Sequence, residues 1–535
     1  MPLPRARVYG RRPTMSATDE CLRAWREILG DEHVRAGEGA APFLRATFGH
    51  PLRVPAVIRP GDVASVRACV RAAARHGVPV HATSCGKNWG LGSRLPHRDD
   101  VAVMDLSRMD RVRAIDEEMA WAVVEPGVTF AQLHAALAAR RARLFAAVTG
   151  STPRASVLGN LLERGDGVGP LTDRASHACA MEVVLGDGSL IHTGFARFGD
   201  TPLAPLHRWG VGPSLDGLFT QSPFGVVTAA TVWLSPMPAS VQSFRFEVRD
   251  DARLPALVDA LRRLRFEGTL RGSVALWRDA RVLSALTHHP DAGRPGATAL
   301  PDDALREMCE ARGIARWSGV APLYAATEAQ GRANRERVAE VLGPVADAWR
   351  CEERVGDAAA GDEMLCPQDP AIGFFQGVPM EHSVRSVYWR RGPAPAVDLD
   401  PERDRCGVLW TVPAVPFHGA HVARATALAA SVLRAHGMDP LIAMTAPTER
   451  VGLLVPLIVY DRDDPAQEAS ALRCHDALTR AMSDAGYLPG RAGVRATGMI
   501  PPSADDTDAV MARLRDALDP SGALSPGRYI APRGV

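Results

Sequence analysis

The sequence predicts an α+β fold in two domains, and three observations carry that reading. Residues 54–106 alternate short apolar, β-branched strands with amphipathic helices. The texture changes after Pro236-Met237-Pro238, where new strand and helix cycles begin. The length, 535 residues, is long for one domain and right for two or three. A 46% apolar, 23% charged composition excludes disorder, collagen-like repeats and coiled coil.

The elements follow in order. Residues 1–14 are Arg- and Pro-rich and read as a disordered leader or as a misplaced start ahead of Met15, since no apolar segment follows Arg11-Arg12 to make an export signal. Apolar positions recur at helical spacing over 16–29. Residues 54–58 form a strand, and Asp62 caps a helix carrying Val63, Val66 and Val70 on one face and stopping at Gly77. Strands are expected at 78–83, 101–106 and 121–124, a helix at 130–137, a hairpin across Gly186-Asp187-Gly188, and a strand at 224–234. Beyond residue 239, strands are expected at 241–248, 407–415 and 453–460. Helices are expected at 254–264, 326–342, 422–436 and 466–485, and a last helix at 511–518 precedes a turn-rich tail.

Charge narrows the function. Lys and Arg total 62 against 61 Asp and Glu, with no block of one sign, which argues against a nucleic-acid groove or an anionic-membrane patch. No run approaches the roughly 18 apolar residues of a membrane span. Nine Cys without a CxxC pair read as reduced thiols of a cytoplasmic protein. His288-His289 and His382 lack companions at metal-ligand spacing, so no metal is expected, and HExxH and GxSxG are absent. Only one basic residue, Lys87, is lysine, and it stands in the glycine-dense segment Ser84-Cys85-Gly86-Lys87-Asn88-Trp89-Gly90-Leu91-Gly92. Such a loop at a strand end presents backbone N–H groups that can nest a pyrophosphate, with Lys87 adding charge. It matches neither the Rossmann nor the P-loop spacing, and taken alone the loop reads equally as a merely structural turn.

Its neighbours change that balance. C-G-K-N-W-G-L-G at 85–92, V-E-P-G-V-T at 124–129, S-V-L-G-N-L-L-E-R-G-D-G-V-G-P-L-T-D at 156–173, M-E-V-V-L-G-D-G at 181–188, G-P-S-L-D-G-L-F-T-Q-S-P-F-G-V-V-T at 212–228 and L-D-P-S-G-A-L-S-P-G-R at 518–528 occur in order. Together they resemble the vanillyl-alcohol oxidase/p-cresol methylhydroxylase-type FAD family, particularly its eugenol-oxidase-like branch. The resemblance implies an FAD-binding domain of residues 15–238 plus 488–535 and a cap domain of 239–487, with the flavin ring between them. It implies flavin contacts from Ser84, Gly86, Lys87, Asn88, Gly90, Pro126, Gly127, Gly159, Asn160, Gly225, Val227 and Arg528. Arg528 also reads as a surface cation.

The active-site positions depart from the family. Leu91 and Gly490 stand where the resemblance implies two phenolate-binding tyrosines, while the neighbouring Arg491 is kept. Ser151 stands where the aspartate near the flavin would be. The tether histidine falls at Leu454 or Leu453, neither of which can bond the flavin; Tyr460 is the one tyrosine close by. FAD is therefore expected to be held non-covalently, with Leu91, Leu454 and Gly490 opening a larger, more apolar pocket.

Arg491 binds either an anion of substrate or flavin, or a cap carboxylate. Asp166 either supplies an acid/base group or caps a loop, and His418 either faces the pocket or lies exposed on its loop. The expected activity is FAD-dependent removal of a hydride from a small or medium, aromatic or specialised-metabolite substrate, with dioxygen or another acceptor as partner and a homodimer allowed. The alternatives are a non-redox cyclase, lyase or isomerase, a degenerate binding protein, or a phenol oxidase with relocated groups.

Overall fold

The computed structural model describes residues 16–355 and 370–531, so the expected leader lies outside the described residues. A four-stranded sheet opens the chain, in the order Val34–Ala36, Ala56–Ile58, Ala102–Asp105, Val80–Thr83, the last three parallel. Helices Ala17–Leu29 and Val63–His76 supply the apolar faces of its core, with Trp25, Val66, Cys69 and Val70 clustered with Ile58 and Met104. Asp62 caps the second helix by accepting from Ser65 N–H, and Gly77 ends it in the left-handed conformation at φ 66°.

A five-stranded antiparallel sheet follows, ordered Val112–Asp116, Trp121–Val124, Val226–Trp233, Ala178–Val184, Leu190–His192. The expected hairpin is its last pair. The tail returns to the first sheet: Val80 N–H donates to Ala523 C=O at 2.8 Å, and Asp519 accepts from the N–H groups of Ala523 and Leu524.

Residues 240–491 build one large antiparallel sheet. Its order is Ala348–Val355, Ser240–Val248, Trp317–Ala325, Val274–Arg278, Leu441–Ala446, Val451–Asp461, Val412–Pro416, Pro489–Arg491. The strand expected at 407–415 is present as two halves, Cys406–Trp410 and Val412–Pro416. Both keep one register against Val451–Asp461, with a break at Thr411. Helices Leu254–Phe266, Glu328–Leu342, Gly419–Ala435 and Pro465–Asp484 bury Leu257, Leu261, Val338, Val422, Leu433 and Leu478 in a core shared with Phe244 and Phe246.

The sequence reading missed the strands at 274–278, 317–325, 348–355 and 441–446. The first, second and fourth are short or carry Gly, Ala and Pro, and 348–355 is rich in Arg and Glu, where a strand pattern wants β-branched residues; cross-strand pairing overrides that propensity. Among the described residues no helix is long and apolar enough to cross a membrane.

Candidate active site

A cavity of about 320 Å³ runs between the first two sheets and the large sheet. One wall comes from the glycine loop, the segment around Ser156–Asn160, the start of the strand at Val226, and the tail residues Arg528 and Tyr529. The opposite wall comes from Trp410, Val412, Thr445, Leu453 and Val455 of the large sheet, and from Arg281, Val384 and Val387.

Of the expected flavin contacts, Ser84, Gly86, Lys87, Asn88, Pro126, Gly159, Asn160, Gly225, Val227 and Arg528 line this cavity. Gly90 and Gly127 do not. Gly90 sits at φ 75°, where a Cβ would strike the Trp410 ring, and its N–H donates to Thr47 Oγ1 at 2.9 Å. A Cβ at Gly127 would meet the Ser107 carbonyl oxygen at 2.5 Å. Both glycines let chain segments pack closely and do not face the cavity.

Lys87 differs from its expected role as a free charge. Its Nζ pairs with Asp400 Oδ2 at 2.9 Å and lies 5.3 Å from the Trp89 ring centre, so it binds the loop to the opposite lobe. Arg528 is not a surface cation. It is largely buried and pairs with Glu163, whose other oxygen accepts from Tyr529 Oη at 2.9 Å. His81 is buried beside Arg528, its Nδ1 3.2 Å from Ser525 Oγ, and burial pulls its pKa down to about 3.

The residues present fit a long, acceptor-rich cofactor such as FAD. Among the described residues, the backbone N–H groups of Gly86, Lys87, Asn88 and Trp89 donate to nothing. Trp89 Nε1, Thr445 Oγ1 and Arg491 Nε are also buried cavity-wall donors without a partner. Such groups cost free energy unless a ligand satisfies them. A Cβ at Gly159 would collide with Ser84 Oγ, so glycine keeps the two lining segments in contact there.

The structure brings Arg491, Ser151 and Asp166 to the same cavity. Arg491, on the strand Pro489–Arg491, donates from Nη2 to Asn88 Oδ1 at 3.0 Å. It has no ion pair among the described residues, so the cap-carboxylate reading fails. Ser151 has no basic partner among the described residues and cannot act as a base at neutral pH.

Asp166 does not cap its loop. Its backbone carbonyl accepts from Arg174 Nη1 at 2.8 Å, and among the described residues its carboxylate takes no hydrogen bond. It lies within electrostatic reach of Arg174, a buried cation stacked 4.7 Å from the Phe130 ring centre and donating to Ala147 C=O and Asn160 Oδ1. Burial first, then repulsion from Arg491, lowers Arg174 to about 10, with Asp166 opposing; it stays charged at neutral pH.

Three expected positions lie elsewhere. His418 is exposed, and its Nδ1 accepts from Ala420 N–H to cap helix Gly419–Ala435. Leu454 is fully buried in the core; strand alternation puts Leu453 and Val455 on the cavity face instead. Gly490 is off the cavity as well, its carbonyl accepting from Gln221 Nε2 at 2.9 Å.

Tyr460 lies in the same core, donating to Glu468, and cannot reach a flavin. Cys85 turns away to Gly127 C=O, and burial pushes its thiol up to about 12. Sequence reasoning missed Arg174, Arg281, Trp410, Glu163 and Tyr529. Tyr529 directly follows the tail motif, which was signal enough to find it; the two arginines carried no local signal.

Comparison with known proteins accords with this geometry. An FAD binding domain family model matches residues 54–194. The chain is 41% identical to 1'-carboxy-chondrochloren decarboxylase of Chondromyces crocatus, covering 96% of this chain and 97% of that protein. It is 27% identical to the 4-cresol dehydrogenase [hydroxylating] flavoprotein subunit of Pseudomonas putida, covering 96% of each. The crystal structure of p-cresol methylhydroxylase with substrate bound superposes with a TM-score of 0.86 at 25% identity, over 96% of this chain and 97% of that one.

Proposed function

Because the chain belongs to the vanillyl-alcohol oxidase/p-cresol methylhydroxylase-type FAD-binding family, we propose that it is an FAD-dependent oxidoreductase that couples hydride removal to decarboxylation of a carboxylate-bearing substrate. The observation that carries this reading is Arg491, a cationic cavity residue without an acidic partner among the described residues. An unpaired guanidinium in such a place is stabilised by an anion, and a substrate carboxylate supplies one. The similarity to a protein named as a decarboxylase supports the same chemical class.

When bound, FAD supplies a two-electron acceptor, so that a hydride leaving one carbon is balanced by CO₂ leaving its neighbour, the C–C electron pair closing a double bond. The chain does the rest. Arg491 orients the carboxylate, with Asn88 fixing one edge of the guanidinium. Leu91, Trp410, Val384, Val387, Leu453 and Val455 surround the substrate body and exclude water. Leu91 takes the place of one phenolate-binding tyrosine, which favours a non-phenolic substrate. Leu453 and Val455, on the cavity face of the strand where a tether would stand, cannot bond a flavin, which supports non-covalent binding.

Anaerobic mixing with a series of 3-arylpropanoates tests the reading. Bleaching of the flavin band in step with CO₂ release supports it. CO₂ release with the flavin still oxidised would leave a non-redox lyase, and bleaching without CO₂ a simple dehydrogenase.

A further inference from the structure

Arg281 is a second cation on this cavity, and the proposed reaction does not use it. It lies in helix Asp279–Leu286, packed against the turn at His382–Tyr388, and is only 7% exposed. Its one hydrogen bond among the described residues runs from Nη2 to Ser383 C=O at 3.4 Å, and its Nε is buried without a partner. Burial lowers its pKa to about 10, with no acidic group offsetting the cost, and it remains charged at neutral pH.

Arg390, the other fully buried arginine of the lobe among the described residues, and the half-buried Arg316 are answered by acids. Arg390 meets Asp439 at 2.9 Å, and Arg316 meets Asp279 and Asp251 at 2.7 Å. Among the described residues Arg281 is not, and it is on a cavity wall. Arg491 reaches the cavity from the edge strand at 489–491, whereas the helix of Arg281 packs on the strand at 441–446, three strand positions or about 14 Å away across the sheet. The two cations therefore mark two separate anion positions.

We propose that Arg281 is a specificity-determining residue that receives a second carboxylate at the cap-facing end of the substrate, which is thus a dicarboxylate. This rests on the proposed function, in which Arg491 takes the first carboxylate. The planar fork suits a carboxylate bidentately, and Val384 and Val387 beside it keep water from competing.

The test uses the oxidised holoenzyme and follows perturbation of the flavin band by α,ω-dicarboxylates and by monocarboxylates of the same chain lengths. At one chain length the wild type should bind the dicarboxylate at least about tenfold more tightly than its monocarboxylate. R281Q should erase that advantage and leave monocarboxylate binding as in the wild type. If R281Q does not retain flavin, R281K serves instead, since a point charge replaces the fork only in part and the advantage must shrink. No dicarboxylate advantage at any length, or an advantage that survives both variants, overturns the proposal. R491Q separates the two roles: if both ligand classes still bind it normally, the role of Arg491 fails, while that of Arg281 is still decided by its own variants.

Discussion

The cations along the cavity fall into two kinds. Around the tail, each cation has its anion: Arg528 pairs with Glu163, which also holds Tyr529, and Lys87 pairs with Asp400 across the lobes. Arg491, which reaches the same glycine loop at Asn88, and Arg281 on the cap helix have no acidic partner among the described residues. The paired charges are structural braces. The unpaired ones cost stability in the free protein and gain it back from a ligand, so they mark where an anion goes.

Mutations should therefore divide by whether the cation is paired. The largest effect is expected for R491A, which should lose about 2–4 kcal/mol of transition-state stabilisation in kcat/KM while flavin content and melting temperature hold or rise. Steady-state kinetics beside a thermal melt decide it. D400N should do the reverse. It strands Lys87, whose side chain is 14% exposed, and should cost about 2 kcal/mol of stability together with weaker flavin retention. If D400N damaged turnover and left stability untouched, the contrast between paired and unpaired cations would break.

Acid sharpens the comparison from the braced side. His81 is neutral when folded, with its pKa held down to about 3, whereas the unfolded chain takes up a proton below about 6.5. Stability is thus level above that pH and falls as the pH drops from about 6.5 towards 3. At pH 5 the loss from His81 should be about 2 kcal/mol, and H81Q should flatten this part of the denaturation profile. The smallest effect belongs far from the cavity: H418A should cost about 0.5–1 kcal/mol as a lost helix cap and leave kinetics unchanged.

Much of the braced framework was legible in the sequence, because glycines, the Ser84–Gly92 loop and the tail motif are local patterns that backbone geometry demands. Gly90 and Gly127 show the limit of that legibility. Glycine is required at both, yet by Trp410 and the Ser107 carbonyl, partners that only the folded chain supplies. Leu454 was misplaced by a single residue, enough on a strand to exchange cavity for core.

Arg281 was invisible for a different reason. Arginine supplies all but one of the 62 basic residues, so one more on an amphipathic helix stands out in nothing but its burial. The absences at Leu91 and Gly490 could be read from local motifs, while the burial of Arg281 on the cavity wall could not.

The return of the tail to the first sheet sets the order of assembly. Leu524 bridges to Val80, and Arg528 and Tyr529 close a cavity whose other lining residues begin at His81. A nascent chain emerging from the ribosome can form the first sheet early, but it has no finished berth for its prosthetic group until synthesis has run past residue 529. Loading with the vitamin-derived group is thus a late event in biogenesis, and a product shortened by some fifteen residues should accumulate pale even where its lobes are well formed.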